Sequence, residues 1–502
     1  MTRKLLALAI FVFLGGFIQA QSLDNRCWSI DYETWNTTGT PSLYIDCGND
    51  EAFNGGEELT LEVWARAYTF AENRKIMGKI EYNEPIDNGY VLGFENLHVY
   101  AEYFNPSIQV VPRPGDGPMA PDSSFTHLVT TYSVSSGKIQ SYVNGILSGE
   151  TTMFPSTALV DNDRPFIIGN APWDLLSYQF YGDLDEVRVW NKALSQEEIQ
   201  SRMHTQLMGD ETELVAYYNF NAAADSTVPD SGPNGFDGNL SHSTHESTQW
   251  MVSSAPVGDL TMSNMQDIAA AWYRSAENYH KIITDNGLII TTLINPLEFR
   301  KYVVAGMNSE DGIATDLAPE NPPADYKRSN RQWYFNCASD VSGSMTFNLE
   351  DAMVGDDFPM DDDDNQYALL YRADESKDFR AIARPTKLLS GIFIINDYEF
   401  KDGFYAIGHS SEEFPIQGFD AISDIKFSNL ILAPNPVNNQ LMINGAPLNT
   451  NLSIYQISGS LVKQVKAIQN QEIIDLSDLN SGIYFLEFEI DGIKTTRKLI
   501  KN

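Results

Sequence analysis

Three cysteines, seven histidines and 33 lysines and arginines are few for 502 residues, and each shortage removes a class of protein. Cys27, Cys47 and Cys337 include no CxxC spacing and are too sparse for a disulfide-framed scaffold. Among the histidines only His242 and His245 lie close together, in a Ser/Thr-rich stretch with no further ligands nearby, so a loop is expected there and not a zinc site. The basic residues face 68 aspartates and glutamates, and between residues 21 and 425 the balance is 24 against 62, a net charge of −38. A polyanion of that size repels phosphate backbones and attracts cations, which argues against nucleic acid as a partner and admits Ca²⁺. Beyond the first 20 residues no run is long and apolar enough to span a bilayer, so no transmembrane helix is expected in the mature protein.

What is present points to an exported chain of several domains. Arg3 and Lys4, an apolar run from Leu5 to Ile18 and the ending Ile18-Gln19-Ala20 have the form of a cleaved signal peptide over residues 1–20. An aromatic content of 12% favours packed cores over disorder. In an exported chain Cys27 and Cys47 are close enough in sequence to pair, which leaves Cys337 as a buried thiol.

From Leu59 the pattern LTLEVWA alternates, with Leu59, Leu61, Val63 and Ala65 on one face and Thr60, Glu62 and Trp64 on the other, as in a half-buried strand. HLVTTYSV and KIQSYV are strands joined through Ser135-Ser136-Gly137, and Asn144-Gly145 signals a type I′ hairpin. Short strands with frequent turns over this region imply an antiparallel sandwich. In GDLDEVRVWNKALSQEEIQ, residues 182–200, a strand from Asp183 to Trp190 places Asp183, Asp185, Val187 and Val189 on one face and Leu184, Glu186, Arg188 and Trp190 on the other. Ser195 and Glu198 then have capping-box spacing, Leu194 and Ile199 staple spacing, and Ile199, Met203 and Leu207 recur every four residues along a short packing helix.

LTLEVWARA, FTHLVTTYS, KIQSYVNGI, FIIGNA, FYGDLDEVRVWNKALSQEEI, LVAYYNF and VPDSGPNGFDGNL resemble, in order, the motifs of laminin G-like domains of the concanavalin A-like lectin/glucanase superfamily, over residues 21–257. The resemblance implies a jelly-roll sandwich that binds a glycan or a protein, often with calcium. Glucanases of this fold carry two glutamates and an intervening aspartate at alternate positions of one strand, so that nucleophile and acid stand about 5 Å apart. Here Val187 takes the third position and Glu186 points the other way, so the motif is not met. An inward Asp185 beside Val187 and Val189 needs either backbone donors or a cation. The first makes it a hydrogen-bonded structural aspartate; the second makes Asp46, Asn49, Asp50 and Asp185 the ligands of a Ca²⁺ ion. Trp173, Tyr178 and Tyr103 are candidates for stacking on sugar, with a core role open for each.

Residues 258–425 read as a second β-sandwich of about eight strands, including RKYVVAGMN, RQWYFNCAS, GSMTFNLED, YALLYRAD and DGFYAIG. With Arg331-x-Trp333-Tyr334 before a strand and an acidic loop before YALLYR, they resemble an uncharacterised β-sandwich module of secreted Bacteroidetes proteins, which carries no known activity; a spacer or second binding module is the role expected. The run Asp361 to Asn365 lacks the glycine and glutamate of an EF-hand loop, and Gly408-His409-Ser410-Ser411-Glu412 lacks the closing glycine of a nucleophile elbow, so both are expected to be loops. In residues 426–502, APNPV, IYQISGSLV, IDLSDLNSGIYFLEFEI and TRKLIKN resemble the C-terminal sorting domain of the type IX secretion system. That implies a small immunoglobulin-like sandwich, which the secretion machinery recognises and a sortase removes. The fold class expected is therefore all-β: a jelly-roll sandwich, a second β-sandwich and a small C-terminal sandwich. The function expected is that of a secreted or cell-surface binding protein for a glycan or a surface protein, with a divergent glycoside hydrolase or lyase as the alternative.

Overall fold

The computed structural model describes residues 25–30 and 43–501, apart from stretches of which the longest are 111–123, 242–249, 273–279, 293–300, 353–362 and 417–430. The expected signal peptide lies outside the described residues. No helix among them is long and apolar enough to cross a membrane.

The chain is all-β, and its contacts divide it into two units. The first, residues 1–310 with 331–352 and 396–403, is dominated by two packed sheets. In one, the strands Lys138–Val143, Thr126–Ser133, Glu58–Ala67, Gly182–Trp190 and Arg26–Ile30 lie side by side. In the other, Ile45–Asp46, Ile167–Ile168, Arg74–Glu81, Asn88–Glu95 and His98–Asn105 do the same. Between them lies the core expected from alternation: Leu59, Leu61, Val63 and Ala65 meet Met77, Leu92, Phe94, Ala101 and Tyr103. The Asn144-Gly145 turn has φ of 50° and 72°, both left-handed, as a type I′ hairpin requires.

The face of the first sheet turned away from that core is covered as well, so Glu58–Ala67 and Gly182–Trp190 are buried on both sides and not half-buried. One cover is the helix Gln196–Arg202. Its start is the expected capping box: Ser195 Oγ accepts from Glu198 N at 3.2 Å, and Glu198 Oε2 accepts from Ser195 N at 3.0 Å. Leu194, Ile199 and Leu207 pack with Val129, Trp190 and Tyr217 beneath it, although the helix stops at Arg202, one turn short of Leu207. Ser195→Ala should cost about 0.5 to 2 kcal/mol of stability through loss of the cap. A urea midpoint equal to that of the wild type would show that the box contributes nothing.

The second cover comes from a strand the sequence pattern did not reveal, Gln266–Trp272. Its sequence QDIAAAW has little alternation, and a bulge at left-handed Asp267 offsets what there is. Trp272 lies edge-on to Trp64 at 5.6 Å, and its indole N–H donates to Phe125 O at 3.1 Å. The same unit holds the antiparallel ladder of Gln266–Trp272, Tyr302–Met307 and Trp333–Cys337.

The second unit comprises residues 311–330, 353–395 and 404–502. Tyr367–Arg372 pairs there with Arg380–Ala383 and with Gly403–His409. Of the run Asp361 to Asn365, the first two residues lie outside the described residues and Asp363 caps the 3₁₀ turn Asp364–Gln366. Gly408 and His409, expected in a loop, end the strand Gly403–His409, and the fully buried Ser410 beyond it donates to Asp325 Oδ1 at 2.6 Å. The small sandwich expected at the C-terminus is present as a three-stranded and a four-stranded sheet around Val437, Leu441, Ile443, Leu452, Leu486 and Phe488.

Candidate functional site

The carboxylates of residues 182–200 are engaged in an internal network. Glu186 has φ of 51° and sits in a bulge between Asp185 and Arg188, which resets the alternation of the strand. Leu184, Val187 and Val189 therefore enter the main core, while Asp183 and Asp185 do not share a face with the valines as the uninterrupted pattern implied. Glu62 Oε1 accepts from His127 Nε2 and Arg188 Nη1, both at 2.9 Å, and Glu62 Oε2 from Trp190 Nε1 at 3.1 Å. Arg188 Nη2 donates to Glu186 Oε2 and Thr205 O, both at 2.6 Å, and Tyr217 Oη donates to Glu186 at 2.7 Å.

All of these side chains are buried. Burial alone would raise the pKa of Glu62, but Arg188 and His127 outweigh it and hold the carboxyl at about 2. Asp185 is pushed the other way, by burial and then by the charge of Glu186. Glu62, Asp183, Asp185 and Glu186 are all buried, and the pair Glu62 and Glu186 is bridged by the Arg188 guanidinium.

The residues assigned to calcium are not brought together. Asp185 Oδ1 accepts from Glu186 N at 2.8 Å and its Oδ2 from Ser253 Oγ, which is the hydrogen-bonded alternative. Asp46, on the opposite sheet, accepts from Gly48 N, and Asp50 from Ala52 N as the cap of a 3₁₀ turn. Asn49 Oδ1 accepts from Lys79 Nζ. Among the described residues no three His, Cys, Asp or Glu side chains are grouped as metal ligands would be. The expected Cys27–Cys47 disulfide is not formed. Cys47 points into the core between the sheets, whereas Cys27 packs with Trp64, Phe125 and Met203 on the far side of the first sheet.

The second sheet carries a different feature on its outward side. Lys75 is 1% exposed, and its Nζ lies 4.3 Å from the ring centre of Tyr100, 5.5 Å from that of Trp173 and 5.6 Å from that of Tyr178. It donates to Tyr100 Oη and, at 3.3 Å, to Glu102. Trp173 and Tyr178 are half-buried, their ring centres 5.4 Å apart, and Trp173 rests on Ile80, Val91 and Phe104. Two of the three stacking candidates thus converge, from a loop onto the sheet. The third, Tyr103, is a core residue: it stacks on Tyr132 at 5.0 Å and donates to Thr130. Lys75 and Tyr100 escaped sequence reasoning because nothing local to RKIMGKIE or HVYAEYFN shows that the two strands bring a lysine under a ring.

Two sheets in this order, with a capped helix on one of them, agree with a family comparison in which residues 38–200 match the concanavalin A-like lectin/glucanases superfamily. Residues 432–502 match the secretion system C-terminal sorting domain. The chain joins a concanavalin A-like domain to a sorting domain. The sorting domain directs export across the outer membrane, to the cell surface or the medium. No curated relative matches the chain.

Among solved structures, a provisionally assigned carbohydrate-binding protein from Bacteroides ovatus is 17% identical, with a TM-score of 0.36 over 47% of this chain and 61% of its own. This chain thus spans about 61% of that protein's length. The CBM40 module of a Ruminococcus gnavus IT-sialidase, bound to α2,3-sialyllactose, is 16% identical, with a TM-score of 0.25 over 31% of this chain and 91% of its own. A heptameric pentraxin from Limulus polyphemus is 13% identical, with a TM-score of 0.26 over 36% and 83%.

Proposed function

We propose that the protein is an exported, non-catalytic glycan-binding protein whose concanavalin A-like domain takes sugar against Trp173 and Tyr178. The observation that carries the reading is this pair of half-exposed rings, backed by Ile80, Val91 and Phe104 and by the Lys75 cage. A rigid aromatic surface binds the apolar face of a pyranose at little cost in conformational entropy, because its rotamers are already fixed by packing. The buried network on the other sheet supports the absence of turnover, since its carboxylates are committed to Arg188, His127 and backbone groups.

Trp173→Ala and Tyr178→Ala should each weaken retention on a bound polysaccharide by about tenfold, the effect of truncating an aromatic contact worth a little over 1 kcal/mol. Affinity electrophoresis in gels containing polysaccharide reads this directly, with melting curves as the control for folding. Retention equal to that of the wild type in both folded variants would remove the site.

A further inference from the structure

Lys79, on the strand Arg74–Glu81, is 1% exposed, yet its ammonium is not paired in the usual way with one carboxylate. It lies among oxygens from two loops at the rim of the concanavalin A-like domain. Nζ donates to the main-chain carbonyls of Asn162 at 2.8 Å and Arg164 at 2.7 Å and to the side-chain carbonyl of Asn49, with Asp161 Oδ1 at 3.8 Å. The loops are joined beside it, where Phe166 N donates to Gly48 O at 2.9 Å and Cys47 N to Phe166 O at 3.0 Å, and the second is held within itself by Arg164 N donating to Asn162 Oδ1 at 3.0 Å. Burial lowers the pKa of Lys79, and the charges of Asp161, Asp163 and Glu81 oppose that shift.

Neutral carbonyl oxygens with a nearby carboxylate are the donor set of a hard cation such as Ca²⁺. An ammonium matches three of those oxygens with its three donors. It also excludes an ion from the same point, since two cations there would repel each other inside a poorly solvated rim. We propose that this is a cation site filled from within. The Lys79 ammonium stands where a divalent ion would, ties the loop around Asn49 to the loop Asp161–Arg164, and leaves the wild-type rim indifferent to calcium. On this reading a lysine occupies the oxygens that a calcium ion at Asn49 would need. Removing the lysine should expose a calcium site.

The test compares melting of the purified wild type and of Lys79→Ser in EDTA and in millimolar Ca²⁺. The wild type should melt at the same temperature in both. Lys79→Ser should melt about 5 °C or more lower in EDTA, having lost several charge-assisted hydrogen bonds, and recover part of the loss in Ca²⁺. Calcium stabilisation of the wild type that disappears in Asn49→Ala would overturn the proposal, as would a Lys79→Ser protein that calcium does not rescue. Should Lys79→Ser fail to fold, amine acylation of the wild type read by mass spectrometry decides. Lys79 should stay unmodified relative to the half-exposed Lys138, with and without Ca²⁺. Labelling equal to that of Lys138, or labelling that rises on adding Ca²⁺, would contradict an ammonium held in place of the ion.

Discussion

Arg188→Met is expected to cost about 3 to 5 kcal/mol of stability, because it strands two buried carboxylates without a counter-charge. Among the described residues Arg188 is the cation that reaches both Glu62 and Glu186, and it also satisfies the carbonyls of Arg202 and Thr205, where the helix ends and the chain turns. A loss of that size is a large share of the 5 to 15 kcal/mol that holds a typical domain together. Adding Glu62→Gln and Glu186→Gln to Arg188→Met should recover part of it, since the neutral amides no longer need the guanidinium, so the three changes are strongly non-additive. Urea unfolding of the single and triple variants reads both effects. A loss below about 1 kcal/mol for Arg188→Met, the range of an exposed pair, would contradict the buried network.

The second large effect concerns export. Deleting residues 426–502 should leave the passenger in the periplasm, with almost none at the surface or in the medium. This module is folded around its own core, from Val437 to Leu499, and is matched by the sorting family over residues 432–502. Fractionation with antibody detection is sufficient, and delivery of the truncated protein at the wild-type level would contradict the assignment.

The local chemistry of the concanavalin A-like domain was legible where one residue type has one structural use. Ser195 and Glu198 specify a helix start by their spacing alone, and Asn144-Gly145 specifies a left-handed two-residue turn. The strand Gly182–Trp190 was legible in extent but not in orientation. A residue with left-handed φ in its middle, Glu186, is invisible to a period-2 reading and moves every later side chain to the opposite face. That single bulge accounts for the misplaced partners of Asp185. The burial of Glu186 was not legible either, because nothing local to its strand shows that a helix and Trp272 close over that sheet.

The candidate site was half legible. Trp173 and Tyr178 lie in a loop whose composition marks them as candidates, whereas their convergence on Lys75 depends on contacts 98 and 103 residues apart in the chain. Asn49 was weighed as a calcium ligand, and nothing local to it shows that its side-chain carbonyl accepts from Lys79, on a strand 30 residues further on.

The central claim, an exported binder without turnover, is tested most directly by incubating the purified protein with a panel of insoluble polysaccharides. Protein depleted from solution and reducing sugar released into it are measured in the same tubes. The account predicts at least one polysaccharide that depletes the wild type, leaves the Trp173→Ala variant largely in solution, and yields no soluble sugar with either. Release of reducing sugar by the wild type, undiminished in Trp173→Ala and abolished when a carboxylate elsewhere in the domain is neutralised, would contradict it.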